Sequence, residues 1–154
     1  GYLSIGFAAG VVQRAAGLSV AEVVLMSLVL YAGSAQFVAA SMIAAASPPL
    51  AVILTVLFVN LRHLLLSAAL APFFARVPAW KNALIGAQRT DETFVVALGR
   101  LRGSQGVQEA QGASPAWMAG LNLSAYASWA VANLAGALAG GLVSYTRALC
   151  SPAS

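Results

Sequence analysis

Residues Val23–Leu61 read VVLMSLVLYAGSAQFVAASMIAAASPPLAVILTVLFVNL, thirty-nine positions without a single charge. As one helix they would be about 58 Å long, roughly twice the thickness of the hydrocarbon core of a bilayer. We therefore expect the chain to fold back at Ser47-Pro48-Pro49, because prolines break a helix. The run predicts a hairpin of two membrane helices.

The composition of the whole chain extends this prediction. Of its 154 residues 60% are apolar and 8% are charged, whereas soluble domains average about 45–50% and about 25%. The net charge of +4 suits the scattered basic residues that orient a membrane protein. The sequence thus predicts an all-α, polytopic transmembrane helical bundle, and it excludes an ordinary soluble enzyme, a disordered tail and a nucleic-acid binder.

The sequence contains few residues that could bind a metal or form a disulfide. The chain has one cysteine, Cys150, and one histidine, His63. A disulfide framework or thiolate cluster needs more cysteines, and a histidine-based metal site needs more ligands. We predict no metal centre and no cofactor.

The apolar and polar segments divide the chain, which we treat as a single transmembrane domain over residues 1–154. The segment between 82 and 99 is polar in its middle, so it either crosses fully or is a re-entrant or broken segment. Whether this segment crosses the membrane or returns to the same side, most basic residues lie on the same side as Arg14. That side is expected to be cytoplasmic, because cytoplasmic loops carry an excess of Lys and Arg. Gln13, Arg14 and Gly17 predict an interfacial turn, and Ser19 and Glu22 have the spacing of a capping box that starts the next helix. The predicted segments are a partial span at 1–13, helices at about 19–46, 50–75, 82–99 and 114–143, and a polar, frayed tail at 144–154.

Polar residues at membrane depth are the first functional candidates. Asn60, Arg62 and His63 lie near the middle of the predicted helix 50–75. An arginine there costs about 2.5–3.5 kcal/mol on insertion scales, so it needs a partner. We expect that partner to be Asp91 or Glu92. The alternative is that Gln88–Thr93 lies at the membrane interface.

Two further helices carry polar groups. The centre of helix 19–46 is rich in small residues around Gln36, a composition that allows close packing or local unwinding around a ligand. A single interhelical hydrogen bond is the simpler role for Gln36. In the last helix a stripe of Asn122, Tyr126, Trp129 and Asn133 resembles a cavity wall, and Gly136-x-x-x-Gly140 resembles a packing motif.

Three motifs together resemble one family. They are Ala32-Gly33-Ser34-Ala35-Gln36-Phe37, then Asn60-Leu61-Arg62-His63 with Ser67, then Thr90-Asp91-Glu92-Thr93. In order and spacing the chain resembles the AzlC-type branched-chain amino acid exporters, the large subunit of a two-component bacterial permease. Chains of that family begin earlier and continue further, so we expect this chain to be a partial one.

The resemblance implies a multi-pass protein of the bacterial inner membrane that exports hydrophobic amino acids, driven by the proton gradient. It also implies a small hydrophobic partner subunit of the AzlD type. In this hypothesis Asp91 or Glu92 binds the substrate ammonium, and His63 accepts the proton. The carboxylate is bound by Arg62, Gln36 or unwound backbone N–H groups near Gly33. The candidate transport residues are Gln36, Asn60, Arg62, His63, Asp91, Glu92, Tyr126, Trp129 and Asn133.

Two other classes of function stay open at this stage. A membrane enzyme could use His63 with Asp91 or Glu92 as an acid–base pair, although no activated nucleophile is visible and we predict that the chain is not an enzyme. A non-transporting assembly subunit would use its buried polar residues only to hold helices together.

Overall fold

The computed structural model is built of α-helices in the part of the chain that it describes. It describes residues 2–70, 78, 80, 83, 86, 90–103 and 115–150, with side chains for those outside 101–103, 115 and 143–150. Within these ranges there is no strand, which confirms the all-α class. The helices are α1 Tyr2–Ala15, α2 Val20–Val29, α3 Gly33–Ala44, α4 Pro49–Leu70, α5 Asp91–Gly103 and α6 Pro115–Cys150.

The chain divides into two compact units. Unit 1 comprises Gly1–Val59 and Ala127–Ser154, and unit 2 comprises Asn60–Tyr126. Helices α4 and α6 each contribute residues to both units. Each unit is described by itself below, and the single domain expected over 1–154 stays a prediction.

Unit 1 is organised around α1, which packs against α2, α3 and the second half of α6. At two points the backbones of α1 and α6 touch. A Cβ atom at Gly10 would collide with the carbonyl oxygen of Asn133, and one at Gly136 would collide with the carbonyl oxygen of Phe7. Gly136 therefore has the packing role expected from its motif, because only glycine permits such close contact.

Two helices of unit 1 end in the same backbone motif. After α1 the N–H groups of Gly17 and Leu18 donate to the carbonyls of Arg14 and Gln13. After α3 the N–H groups of Ala46 and Ser47 donate to Ile43 and Met42 in the same pattern. Both are Schellman motifs, which require a left-handed residue. That residue is Gly17 (φ 96°) in the first and Ala46 (φ 52°) in the second.

The predicted helix break is present at Ser47-Pro48-Pro49, between the end of α3 and the start of α4, and the folding back of α4 along α3 stays a prediction. The carbonyl of Pro48 accepts hydrogen bonds from the N–H groups of Ala51 and Val52, so Pro48 occupies the N-cap position of α4. Pro49 is then the first helical residue, where its missing N–H costs no hydrogen bond.

The helix expected over 19–46 is broken in two, which corrects that prediction. It begins at Val20 behind the expected Ser19–Glu22 capping box, whose two hydrogen bonds are both present. Helix α2 ends at Val29, and α3 starts at Gly33. Between them the N–H of Ala32 donates to Leu30 across a tight turn. Gly33 and Ser34 weaken helix propagation here, and the turn gives the broken segment that the fold prediction allowed.

The helix expected over 82–99 is interrupted, because Thr90 is not helical, although the described residues Ala83 and Gly86 before it are. Helix α5 begins only at Asp91 and continues past Gly99 to Gly103. The N–H of Thr90 donates to Oγ1 of Thr93 (2.9 Å), and the N–H of Thr93 lies 3.4 Å from Oγ1 of Thr90. This reciprocal pair has the arrangement of a capping box, so it starts a helix in the polar centre of the segment.

Helix α6 is longer than predicted and includes part of the tail that was expected to fray. It runs 36 residues to Cys150, because no glycine or proline follows Gly141 until Pro152, and helices usually stop before the residue preceding a proline. Helix α4 begins at Pro49 and is described to Leu70; residues 71–75 of its predicted span lie outside the described residues.

One described helix is long and apolar enough to cross a membrane on length and composition, namely α4 with 22 residues. At 1.5 Å per residue it extends about 33 Å, close to the thickness of the hydrocarbon core. Helices α2 and α3 are also apolar but shorter, with 10 and 12 residues.

Candidate functional site

Three neutral amide side chains meet in the interior of unit 1. Gln13 of α1, Gln36 of α3 and Asn133 of α6 are each 0% exposed. Nε2 of Gln13 lies 3.0 Å from Oδ1 of Asn133 and 3.3 Å from Oε1 of Gln36. We call this group the amide cluster. It joins three helices through side chains alone.

The direction of every hydrogen bond in the amide cluster is fixed by backbone carbonyls. Nε2 of Gln36 donates to the carbonyl of Leu30 (2.6 Å), and Nδ2 of Asn133 donates to that of Trp129 (3.1 Å). Both amides must therefore turn their oxygen toward Gln13. Because two acceptors face it, Gln13 must present its amino group to them.

This arrangement leaves the other end of Gln13 unsatisfied. Its Oε1 is buried and has no hydrogen-bond partner in the described part of the chain. Rotating the amide would place that oxygen against two other oxygens, so a flip cannot relieve it. A buried acceptor without a partner costs about 1–3 kcal/mol, which makes this atom a candidate contact for a donor group brought by a water or a substrate.

Gln36 also completes the broken helix. Its Nε2 group reaches the carbonyls of Leu30 (2.6 Å) and Met26 (3.4 Å) at the end of α2. In a continuous helix the carbonyl of Leu30 would accept a backbone N–H four residues further on, whereas the carbonyl of Met26 keeps its helical bond from the N–H of Leu30. Gln36 thus adds a side-chain hydrogen bond to the end of α2, in addition to the interhelical bond considered from the sequence.

Trp129 lies beside the same break. It is 4% exposed, and its ring meets Tyr2 edge to face at a centroid distance of 6.2 Å. Its Nε1 is buried with no hydrogen-bond partner within the described residues. The predicted residue is therefore part of the core of unit 1, with one polar atom unused.

Unit 2 contains an ion pair instead of an amide cluster. Nη1 of Arg62 on α4 lies 3.0 Å from Oδ2 of Asp91, the first residue of α5, and the two side chains are 41% and 48% exposed. This is one of the two pairings expected from the sequence. The position of Asp91 in the first helical turn also favours its negative charge.

The remaining predicted residues of unit 2 are arranged around α4, α5 and α6. Asn60 and His63 are half-buried on α4, Glu92 is exposed on α5, and Tyr126 is half-buried on α6. Oδ1 of Asn60 is buried and lacks a hydrogen-bond partner among the residues described. The predicted transport residues thus fall into two sets, with Gln36, Trp129 and Asn133 in unit 1 and the others in unit 2. A single site uniting both sets stays a prediction.

Sequence reasoning missed Gln13, which it assigned to an interfacial turn. The available signal was the spacing of Gly6, Gly10 and Gln13, which puts two glycines and an amide on one face of α1. That face is the buried one. A glutamine on the same helix face as two glycines is expected to be buried in the contact that the glycines permit. This rule would have identified Gln13 as a buried residue.

No group of three or more potential metal ligands occurs among the described residues. Three of the chain's basic residues, Arg76, Lys81 and Arg89, lie outside the described residues.

Comparison with known proteins gives a consistent result. Residues 1–143 match the AzlC protein family. The chain is 34% identical over 140 residues to the inner membrane protein YgaZ of Escherichia coli, covering 90% of this chain and 55% of that protein. It is 27% identical over 150 residues to a membrane protein of Archaeoglobus fulgidus, covering 95% and 59%.

A shorter match carries a functional name. Over 64 residues the chain is 38% identical to the branched-chain amino acid transport protein AzlC of Bacillus subtilis, which covers 42% of this chain and 25% of that protein. The chain spans a little over half the length of the first two relatives. No solved structure shows significant similarity to it.

Proposed function

Because the chain belongs to the AzlC family of membrane proteins, we propose that it is part of a secondary transporter that exports branched-chain and other hydrophobic amino acids. The name of the Bacillus subtilis relative supports amino acid transport. Export, coupling to protons and a location in the bacterial inner membrane belong to the proposal, as does the transport activity of the whole protein.

The observation that carries the proposal is the break between α2 and α3. Two short helices end and begin inside unit 1, next to three buried amides and an indole. Discontinuous helices of this kind form substrate sites in many secondary transporters, because they expose backbone groups at membrane depth. A bundle with purely structural helices has no need for such a break.

Unit 2 supplies the charged part of the proposed mechanism. Asp91 or Glu92 binds the ammonium group of the substrate, and Arg62 holds Asp91 in place until the substrate competes for it. His63, one residue from Arg62 on α4, accepts the transported proton, since the unperturbed pKa of histidine lies near neutrality. Asn60 and Tyr126 contribute neutral polar contacts.

A partner and an orientation complete the proposal. The partner is a small hydrophobic subunit of the AzlD type. The Arg14 side of the protein faces the cytoplasm, in keeping with the positive-inside rule. Arg14 lies in the last turn of α1, where its Nη1 donates to the carbonyl of Leu18 at 2.6 Å.

An efflux assay tests the proposal. Cells carrying the full-length gene, with and without its small partner subunit, are loaded with labelled leucine, and its exit is followed. Arg62→Gln and Asp91→Asn should each abolish most of the efflux. Arg100→Gln removes an exposed arginine of unit 2 that lies over the ring of Trp117 (4.7 Å), and it should leave efflux unchanged. Wild-type efflux by both ion-pair variants would contradict the mechanism.

A second candidate function is favoured by the amide cluster itself. Gln13, Gln36 and Asn133 bond to one another and to backbone carbonyls of neighbouring residues, as expected of residues that only hold helices together. An assembly subunit of this kind would lose stability when they are replaced. It would show no transport defect beyond that loss, which a comparison of efflux with the amount of folded protein would reveal.

A further inference from the structure

Two oxygen atoms of the amide cluster converge on one point. Oδ1 of Asn133 and Oε1 of Gln36 lie 3.0 and 3.3 Å from the same atom, Nε2 of Gln13. Neither oxygen can turn away, because the amino groups of the same two side chains donate to the backbone carbonyls of Trp129 and Leu30. The point is thus lined by acceptors of fixed direction, and the amino group of Gln13 fills it.

The helices that carry these oxygens are packed tightly at the same place. A Cβ atom at Gly10 of α1 would collide with the backbone carbonyl oxygen of Asn133. Gly10 and Gln13 are three residues apart and therefore lie on one face of α1. Gln36 joins them from the first turn of α3. Ligands that come from packed helices are preorganised, so that little order has to be created when an ion binds.

Gln13 is the member of the cluster whose amide can be reversed. It is 0% exposed, and its Oε1 has no hydrogen-bond partner in the described part of the chain. Reversal turns this oxygen toward those of Gln36 and Asn133, which is unfavourable unless a positive charge lies between them. At the other end of the amide, a buried acceptor without a partner is exchanged for a buried donor in the same position, and the two cost similar amounts of free energy.

Three amide oxygens around one point are a ligand set for a monovalent alkali cation. Membrane proteins bind sodium and potassium ions with neutral oxygen dipoles, such as the carbonyls of a channel filter or those exposed at a broken helix. Calcium and magnesium ions are usually bound with the help of carboxylates, and none of the three residues is acidic. The described residues also contain no group of three or more histidine, cysteine, aspartate or glutamate side chains that could hold a metal ion.

The nearest charge along the chain points away from the amide cluster. Arg14 follows Gln13, but its Nη1 donates to the carbonyl of Leu18 at 2.6 Å. Its Nη2 lies 3.3 Å from a Cβ atom built on Gly141. Gly141 is eight residues beyond Asn133 on α6, which is about 12 Å along the helix axis. The guanidinium group therefore does not occupy the site or neutralise its oxygens.

From the two fixed oxygens and the reversible amide of Gln13, we infer that the amide cluster binds a monovalent alkali cation. The ion takes the position of the Gln13 amino group. It is bound by Oε1 of Gln13, Oε1 of Gln36 and Oδ1 of Asn133, and water completes its coordination. A bound ion ties α1, α3 and α6 together beside the break between α2 and α3. The site is formed by unit 1 alone and does not depend on whether the protein transports amino acids.

Thermal unfolding of the purified full-length protein in detergent tests the site. The chloride salts of sodium, potassium and N-methyl-D-glucamine are compared at equal concentration, so that only the cation differs. A ligand of the native state raises the melting temperature. Sodium or potassium should raise it by about 5–10 °C when present at about 100 times its dissociation constant. N-methyl-D-glucamine is far larger than either ion and should not raise it.

Gln13→Glu separates a cation site from a cluster that only joins helices. Glutamate has the shape of glutamine but no amino group, so it cannot donate to Asn133 and Gln36, whereas its carboxylate is a stronger cation ligand. At alkaline pH in N-methyl-D-glucamine chloride the variant should melt below the wild type. The alkali cation should then raise its melting temperature by more than it raises that of the wild type.

Two further variants complete the comparison. Gln13→Met has no oxygen at this position and should lose the response to the alkali cation. Ser41→Ala removes an exposed hydroxyl of α3 that donates only to Phe37 in its own helix, and it should keep the full response.

Direct binding to the wild-type protein does not depend on any variant. Radioactive sodium and rubidium, the latter as a potassium analogue, are titrated onto the full-length protein, and one of them should bind saturably. If neither binds and the three salts give the same melting temperature, the cation site is wrong. A response of Gln13→Met equal to that of the wild type would place the ion elsewhere and would also overturn the site.

Discussion

The amide cluster of unit 1 and the ion pair of unit 2 differ in how they hold polar side chains. Unit 1 encloses neutral amides that are 0% exposed and held by hydrogen bonds of fixed direction. Unit 2 contains an ion pair whose side chains are close to half exposed. A neutral amide can be buried if it is hydrogen-bonded, whereas burial of a charge costs far more. Unit 1 is therefore built for rigidity, and unit 2 keeps charges where they can exchange partners.

The largest expected effect tests the rigidity of unit 1. Gly136→Ala should destabilise the protein by about 3 kcal/mol, because its new methyl group would overlap the carbonyl of Phe7. Thermal unfolding in detergent, followed by near-UV circular dichroism, measures the loss.

The control for this substitution lies on the same helix in unit 2. A Cβ atom at Gly120 meets no atom within 4 Å, so Gly120→Ala should stabilise α6 by up to about 1 kcal/mol through helix propensity. Equal effects of the two substitutions would show that α1 does not rest on the backbone of α6.

The next effect tests the amide cluster. Gln36→Met should cost about 1–3 kcal/mol, because it leaves an N–H of Gln13 without its partner in a dry interior and removes one of the two hydrogen bonds to the carbonyl of Leu30. Chemical denaturation at low and high concentrations of N-methyl-D-glucamine chloride is the measurement, and the loss should be the same at both.

Ser41→Ala on the same helix is the matched substitution. Ser41 is exposed and donates only to Phe37 in its own helix, so its loss should stay within about 0.5 kcal/mol. If Gln36→Met costs no more than Ser41→Ala, the amide cluster does not stabilise the fold.

A smaller pair of effects of opposite sign tests the turns of unit 1. Ala46→Gly should stabilise the protein by about 1 kcal/mol, because Ala46 occupies a left-handed conformation that glycine adopts without steric cost. Gly17→Ala should destabilise it by about the same amount for the same reason. Melting temperatures of the two single variants and of the double variant give the signs, and two changes of equal sign would refute the motif.

The smallest effect concerns unit 2. Arg62→Gln should change stability by about 0.2–1 kcal/mol, the value of an exposed ion pair, and high salt should reduce the difference further. The same denaturation experiment at two salt concentrations measures it. A salt-independent loss of several kcal/mol would show that the ion pair is as important for stability as the amide cluster. The difference between the two units would then be wrong.

The sequence predicted the class of the fold because composition alone is decisive for a membrane chain. It also predicted the helix break at Pro48-Pro49, the capping box at Ser19 and Glu22, and the pairing of Arg62 with Asp91. Each of these depends on residues close in sequence or on the need to neutralise a charge. Features that follow from local sequence or from charge pairing can be predicted without a structure.

The features that the sequence did not predict depend on contacts between residues that are not neighbours in the sequence. Small residues around Gly33 signalled weakness in the helix, but the position of the break depends on Gln36 reaching back to Leu30. The burial of Gln13 depends on Gly10 meeting α6, a contact between residues more than a hundred positions apart. The start of α5 at Asp91 required the reciprocal bonds of Thr90 and Thr93, which use threonine where glutamate or glutamine is usual.

The contact between Gly136 and Phe7 bears on which parts of the protein can move during a transport cycle. Where a glycine lies against a backbone carbonyl, a shift of either helix by one residue would drive a side chain into that carbonyl. Helix α1 and the second half of α6 must then travel as one body. Motion that opens and closes a passage has to occur elsewhere, and the tight turn at Leu30–Ala32, held by one side-chain amide, is the joint in unit 1 best suited to bend.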